Sequence, residues 1–510
     1  MNKFKGLKAL NPLMTFLILI LFVILLSGFL HLVGFEATYN KINVETGEYV
    51  VTSESVDSLF SLSGIKYIFT TTVSNFTAFT PLSMIIIILI GIGIMEKSGF
   101  IKTTFTILTK YCKKYTITFW LILISVLLSI AGDIGYVVMI PIAALLFSYG
   151  RRNPILGIVA VYAGLTCGSA ISIFMTSIDS EMLRFTLANA QSIDPNYTLG
   201  TFTYLFIMLI SAVLVSVIIT IITEKISANR VDRYEFKDEK KELRLGRREY
   251  RGLIFSIAAG TIYLLIFIYN IIPGLPLSGA LLDYSQNFYI DKLFSYNSFF
   301  SNGFVFVVTI FFIILGLFYG IGAKTIKSHN DFCEDLNHSL DGTGRTLIII
   351  LLGSILINVF KKSNIGVVLG VTLSNLLKNG NLTGPVLIIA LFLISAVSTL
   401  FNTNATSKWA ILSTAAVPVF MNNSLSPEFA QLICRFGESA TLGITPLLAY
   451  FTIYIAYIEK YNQNDEPIPF SKTLKYQLPY SLIVGACLLL ILIGWYLIGM
   501  PFGIGGGLTT

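Results

Sequence analysis

Long apolar runs alternate with short polar segments along almost the whole chain. Many of the runs approach the roughly 20 residues that cross a hydrocarbon core of about 30 Å. They predict membrane-spanning helices over 12–33, 81–95, 117–131, 135–147, 203–222, 252–271, 303–319, 347–360, 385–400, 440–458 and 478–500. Two further apolar stretches, 155–178 and 401–422, are interrupted by polar, helix-poor residues. The second interruption is Asn402-Thr403-Asn404-Ala405-Thr406-Ser407-Lys408-Trp409, and the first is Gly164-Leu165-Thr166-Cys167-Gly168-Ser169-Ala170-Ile171-Ser172. Hydrocarbon offers no partner to a free amide. A break therefore survives only where it is buried in protein or faces a watery cavity. A pair of broken segments, one in each half, is the pattern of a carrier that binds its substrate near the midplane.

Composition narrows the class. Of the 510 residues, 55% are hydrophobic and 12% charged, against about a quarter charged in soluble domains. The fold expected is an all-α polytopic membrane protein. The net charge of +7 does not point to nucleic acid, because the excess lies in short loops, where Lys and Arg set orientation. Lys3, Lys5 and Lys8 put the N-terminus in the cytoplasm, followed by the basic stretch 97–114 and Arg151 and Arg152 on the same side. The first run is too long for a signal segment and reads as a retained helix. Cys112, Cys167, Cys333, Cys434 and Cys487 have no paired spacing, which argues against a disulfide framework or zinc site.

The most charged stretch, 225–251, reads as a cytoplasmic linker between an N-terminal half (1–224, with the broken hairpin segment 155–178) and a C-terminal half (252–510, with 401–422). A cytoplasmic linker requires either that the first broken segment make a net crossing or that a neighbour re-enter. Residues 44–75 are expected to form an extracytoplasmic loop held at the interface by Tyr67, Phe69 and Phe76. Asp133-Ile134-Gly135-Tyr136-Val137-Val138 echoes Asn364-Ile365-Gly366-Val367-Val368-Leu369, and a broken segment follows each copy. That order suggests an internal repeat.

Few residues here carry chemistry. Arg435 and Glu438, spaced i,i+3, share a helix face. A charge at mid-bilayer costs about 2.5–3.5 kcal/mol, so the pair is either functional or an interfacial bridge that orients the helix. Asp179 either binds Na⁺ or a proton, or lies solvated at the rim, and Asp133 has the same two readings. Ser169, Ser172, Thr176, Asn402, Asn404, Thr406 and Ser407 cluster oxygens at the breaks, suited to a hard cation or to a substrate carboxylate. Trp409 serves either as a stacking platform or as an interfacial anchor, and Pro427 and Pro446 stop or kink helices. His31, His329 and His338 form no metal-ligand spacing and no phosphate-binding loop is present, so no enzymatic or ATP-driven machinery is expected.

Ser407-Lys408-Trp409-Ala410, Ser426-Pro427-Glu428, Arg435-Phe436-Gly437-Glu438-Ser439 and Thr445-Pro446-Leu447 resemble the C-terminal signature of the AbgT family, the p-aminobenzoyl-glutamate transporters. Gly91-Ile92-Gly93, Glu96-Lys97-Ser98-Gly99, Asp133-Ile134-Gly135 and Tyr319-Gly320-Ile321-Gly322 extend the likeness along the chain in the same order. The resemblance implies a homodimeric carrier in the bacterial inner membrane, of the ion-transporter superfamily type. It implies about nine transmembrane helices and two re-entrant hairpins whose tips are the two breaks. It also implies uptake of p-aminobenzoyl-glutamate or export of sulfonamide antimetabolites by symport or antiport with H⁺ or Na⁺, and no other cofactor. Asp179, Trp409, Pro427, Arg435, Glu438 and Pro446 match positions of functional weight in the family. Glu438 stands where Asp is usual, Thr399 where Asn is typical, and Thr406 where Ser is common.

In the expected mechanism, Arg435 holds a carboxylate and Trp409 stacks on the aromatic ring, with Ser169, Thr406, Pro427 and Pro446 lining the site. Asp179, Glu438, Asn402 and Asn404 handle the coupling ion, with Na⁺ placed near Asp179, Asn402 and Glu438. The rival readings are a Na⁺-coupled carrier of dicarboxylates or short-chain acids and, behind it, an ion channel.

Overall fold

Segments of this hydrophobicity fold as helices, since a helix satisfies its own backbone. The computed structural model describes all residues except 1–9, 45, 173–175, 199, 201–202, 237–245, 287–288, 295–297, 300–302, 381 and 509–510. Lys3, Lys5, Lys8, Met175 and the centre of the expected linker thus lie outside the described residues. The first half comprises α1 (Pro12–Leu32), an antiparallel hairpin of β1 (Glu36–Ile42) and β2 (Tyr49–Ser55), α2 (Leu62–Thr77), α3 (Thr80–Lys97), α4 (Phe100–Tyr111), α5 (Lys114–Leu127), α6 (Ile134–Tyr149), α7 (Pro154–Cys167), α8 (Ser177–Gln191) and α9 (Leu205–Lys225). The second half comprises α10 (Arg247–Ile271), α11 (Tyr289–Phe294), α12 (Phe304–Ala323), α13 (His329–Asn337), α14 (Gly344–Lys362) and α15 (Ile365–Asn379). It continues with α16 (Gly384–Phe401), α17 (Ala405–Asn422), α18 (Pro427–Thr441), α19 (Phe451–Lys460) and α20 (Phe470–Ile498). Among the described residues, eight helical stretches are long and apolar enough to cross a bilayer. Their outward faces carry exposed Leu21, Phe22, Ile257 and Leu265, as contact with lipid tails requires.

Polar contacts tie the connecting segments into two layers. In the first layer, Arg152 pairs with Glu224 at 2.5 Å and donates to Thr118 Oγ1. Lys472 pairs there with Asp232, Arg345 with Glu459, and Gln463 exchanges hydrogen bonds with the Glu235 backbone. In the second, Tyr49 donates to Asn189, Asn375 to Thr38 O, Lys362 pairs with Asp57, and the Ser426 hydroxyl donates to Gly507 O. The start of the charged linker is therefore docked against other loops.

Helix ends assigned to these layers reveal how the chain is threaded. The start of α5, at Thr118, and the end of α6, just before Arg152, both lie in the first layer, so this pair enters and returns. Its tip is the interruption 128–133, where a 3-10 turn (Leu128–Ala131) runs into Gly132 at φ +59°. Arms of 14 and 16 residues reach only about 21–24 Å, short of a full crossing. Between α7, starting beside Arg152, and α8, with Asn189 in its last turn, the chain passes from the first layer to the second, α7 ending at Cys167 and α8 starting at Ser177. The same order returns from the opposite side. Gly384 at the start of α16 lies near the Tyr496 hydroxyl of α20, and α17 ends before Ser426. These two second-layer arms meet at Asn402–Asn404. From Glu428, bonded to Tyr197, to Glu459, α18 and α19 pass to the first layer through an interruption at 442–450.

Segment 155–178 divides between α7, which ends at Cys167, and α8, which starts at Ser177. Three expectations need correction. Residues 440–458 are not one span, because the helix gives way to a 3-10 turn (Leu442–Ile444) before Pro446. The Asp133 and Asn364 copies are not equivalent: Asp133 is at the α5–α6 tip, whereas Asn364, at φ +59°, turns the chain between α14 and α15. Finally, much of 44–75 is β2 and α2 rather than loop, the helix being capped by the Ser61 hydroxyl on Gly64 N–H.

Close packing of α16 on α18 fixes the centre. A Cβ at Gly437 would lie 2.4 Å from Phe392 O and 2.9 Å from Ser395 Cβ, while Ser395 Oγ donates to Cys434 O. Gly437→Ala should therefore prise the two helices apart at a cost of about 1–3 kcal/mol. Thermal melting of the detergent-purified protein checks this, and an unchanged melting temperature would contradict the packing described.

Candidate functional site

Each interruption frees backbone groups that must find partners. At 168–176, Ala170 N–H donates to Ser439 Oγ at 3.0 Å, and Ser169 O accepts from Arg435 Nη2 at 2.8 Å. The Ser169 and Ser439 hydroxyls meet at 3.0 Å. Beyond this break, Thr176 and Asp179 cap α8 reciprocally, with the Thr176 hydroxyl also donating to Asp179 Oδ2 at 2.7 Å. At the α16–α17 tip, Asn402 Oδ1 accepts from Asn404 N–H and Asn404 Oδ1 from Ser407 N–H. The Thr445 hydroxyl donates to Leu400 O at 2.9 Å, so the 442–450 break supports that tip.

These contacts draw four charges together. Arg435, midway along the wholly buried part of α18, places Nη1 2.8 Å from Glu438 Oε1 and Nε 3.2 Å from Asp179 Oδ1. Lys408 Nζ, from α17, lies 2.8 Å from Glu438 Oε2 and 2.6 Å from Thr399 Oγ1. Relative exposures are 1% for Lys408, 3% for Glu438, 4% for Arg435 and 7% for Asp179. Two carboxylates thus balance two cations where water is scarce, the condition under which buried charges are tolerated. The Nε–H of Arg435, though close to Asp179, makes no aligned hydrogen bond. That donor can turn to an incoming acceptor.

Trp409 is fully buried, its indole N–H donating to Thr186 Oγ1 at 2.9 Å. Thr186 donates to Gln431 Oε1, and Gln431 Nε2 reaches Asp179 O at 3.4 Å. This chain links α17, α8 and α18, and it closes the indole off in this conformation. Glu428, Gln431, Arg435 and Glu438 recur every three to four residues and form one buried polar stripe along α18.

The expected site residues are therefore not all in one place. Asp179, Ser169, Arg435 and Glu438 meet directly. Asn404 Oδ1 caps α17, Asn402 Oδ1 is taken up by the Asn404 N–H, and the Thr406 hydroxyl donates to Glu181 at the α8–α17 seam. Pro427 opens α18 two turns from Arg435, and Pro446 lies in the 442–450 break. Asp133, exposed at the α5–α6 tip, joins no ion pair among the described residues. A cleft of about 480 Å³, lined in part by Thr46, Arg184, Gln191 and Ser192, opens between the β1–β2 turn and α8. No metal-holding cluster of His, Cys, Asp or Glu occurs among the described residues.

Sequence reasoning missed Lys408, Thr186, Gln431 and Ser439. A lysine four residues into an apolar helix is a signal in itself, given the cost of such a charge. Its partner, 30 residues away, has no local signature. Thr186→Val would strip both Trp409 N–H and Gln431 Oε1 of a partner, at about 1–3 kcal/mol for each group. A lowered melting temperature with altered tryptophan emission is the expected result; an unchanged spectrum and stability would contradict this chain of contacts.

Several known proteins are similar to this chain along most of its length. The model of the AbgT putative transporter family matches residues 4–509. The p-aminobenzoyl-glutamate transport protein of Escherichia coli (strain K12) is similar at 25% identity over 500 residues, covering 98% of this chain and 94% of that one. Among solved structures, Neisseria gonorrhoeae MtrF, described as illuminating a class of antimetabolite efflux pumps, is similar at TM-score 0.48 and 27% identity, with 98% of each chain covered. The Alcanivorax borkumensis YdaH transporter, described as having an unusual topology, is similar at TM-score 0.48 and 24% identity, covering 96% of this chain and 99% of that one.

Proposed function

This chain belongs to the AbgT putative transporter family, and we propose that it is a secondary active transporter of p-aminobenzoyl-glutamate or a related aromatic carboxylate. Export of sulfonamide-like antimetabolites belongs to the same reading. The transporter class itself follows from family membership. The observation that carries the substrate class is the buried guanidinium of Arg435, held by Glu438 and Ser169 O but with Nε–H unaligned. A substrate carboxylate takes that donor and displaces Asp179. The added negative charge is then balanced by a coupling H⁺ or Na⁺ at Asp179 or Glu438.

Topology supports the reading. Counted by loop layer, the described elements fit nine crossings (α1, α2–α3, α7–α8, α9, α10, α12, α14, α18–α19 and α20) with two re-entrant pairs, α5–α6 and α16–α17, inserted from opposite sides. The first layer carries Arg151, Arg152, Arg230, Arg247, Arg345 and Lys472, so the positive-inside rule makes it cytoplasmic. On this reading the start of α1 faces the cytoplasm, and the proposal extends, by the family resemblance, to a homodimer in a bacterial inner membrane.

A second carrier reading stands because Trp409 is sealed in this conformation: a Na⁺-coupled dicarboxylate carrier needs no stacking ring. In the leading reading, α8 and α17 part to expose the indole.

Counterflow of labelled p-aminobenzoyl-glutamate in proteoliposomes, with Na⁺ and pH gradients imposed separately, tests the proposal. Truncating one member of a buried charge pair costs about 2–5 kcal/mol, so Arg435→Ala and Asp179→Ala should each reduce flux by roughly 30-fold or more. Normal flux in both removes the assignment. Trp409→Ala should impair p-aminobenzoyl-glutamate transport, and would spare a small dicarboxylate if the second reading holds.

A further inference from the structure

Among the described residues Lys408 is the one buried lysine, and its surroundings are those of a cation site. Its Nζ is 2.6 Å from Thr399 Oγ1 on α16 and 2.8 Å from Glu438 Oε2 on α18. The Thr399 hydroxyl donates its own proton to Ser395 O at 2.8 Å, so its oxygen turns lone pairs toward the ammonium. Glu438 Oε1 is held separately by Arg435. A carboxylate oxygen and an oriented hydroxyl oxygen, in a place with little water, are ligands that a hard cation accepts in exchange for its hydration shell. The ammonium stands there instead.

We propose that Lys408 is a tethered cation occupying an alkali-ion position between Glu438 and Thr399, with which the coupling cation must compete. The inference rests on the cation-coupled reading above and concerns the ion alone. Arg435, Lys408, Asp179 and Glu438 together carry no net charge, so a free cation gains little by entering the closed site. A substrate carboxylate that draws Lys408 toward itself leaves Glu438 Oε2 and Thr399 Oγ1 open to one. Lys408 thereby links entry of the anion to entry of the cation, and it acts as a positioning and specificity-determining residue.

Lys408→Met deletes the charge at similar length. The readout is thermal melting of the full-length purified protein titrated with NaCl, balanced by choline chloride. With the internal competitor gone, the Na⁺ concentration giving half-maximal stabilisation should fall by about tenfold or more. In Lys408→Met/Glu438→Gln that Na⁺ response should vanish, and Lys408→Arg should behave as the parent. If Lys408→Met aggregates on size exclusion, Lys408→Gln carries the same expectation. An unchanged Na⁺ midpoint in a folded variant, or a response that persists in the double variant, overturns the proposal. No substrate enters this assay, so failed p-aminobenzoyl-glutamate counterflow by the parent would count against the proposed function and leave this test intact.

Discussion

The lack of water within the bilayer makes protein partners the main recourse for amides freed at a helix break and for buried charges. Helix α18 meets that demand for both halves. Through Arg435 and Ser439 it satisfies the interruption at 168–176, through Glu438 it holds Lys408 of the α16–α17 pair, and through Gln431 it reaches α8. Without α18, the 168–176 break and the Lys408 ammonium would lose their main partners. Packing in turn depends on α18: the absent side chain at Gly437 lets it approach α16 closely enough for these bonds.

That dependence also explains why the centre is suited to transport. A rigid, fully satisfied cluster would simply staple helices together. Here, however, the stabilising contacts are ionic, balanced in charge and shared among α8, α17 and α18, and one Arg435 donor is unaligned. Under the proposed function, an incoming anion and cation replace internal partners one for one, so that ligands offset the cost of disrupting the cluster. The chain from Trp409 through Thr186 and Gln431 makes the state of the indole depend on the same seam. In the proposed function, substrate access and ion pairing are two aspects of one movement between α8 and α17.

Much of this was legible in the sequence. Hydrophobic run lengths picked out most of the helices long enough to cross a bilayer, though not 440–458, and the start of the polar octet, 402–404, marked the α16–α17 tip. The spacing of Arg435 and Glu438 identified an ion pair that the structure places at its centre. Threading was not legible: in the proposed topology a re-entrant arm such as α5 or α6 is as apolar as a crossing helix and differs only in where its ends lie. The apparent echo between Asp133 and Asn364 misled for a related reason: a short apolar motif after a turn occurs wherever a buried helix starts. Lys408 escaped notice because its partners, Thr399 and Glu438, come from two other helices.

The central claim is that α18 clamps the first interruption directly. Oxidative cross-linking of Ser169→Cys with Ser439→Cys, in a background lacking the five native cysteines and in intact membranes, tests it most simply, since the native hydroxyls lie 3.0 Å apart. Rapid disulfide formation that substrate or coupling cation slows is the predicted result. Failure to cross-link, with each thiol reacting freely with membrane-impermeant reagents from opposite sides, would contradict it.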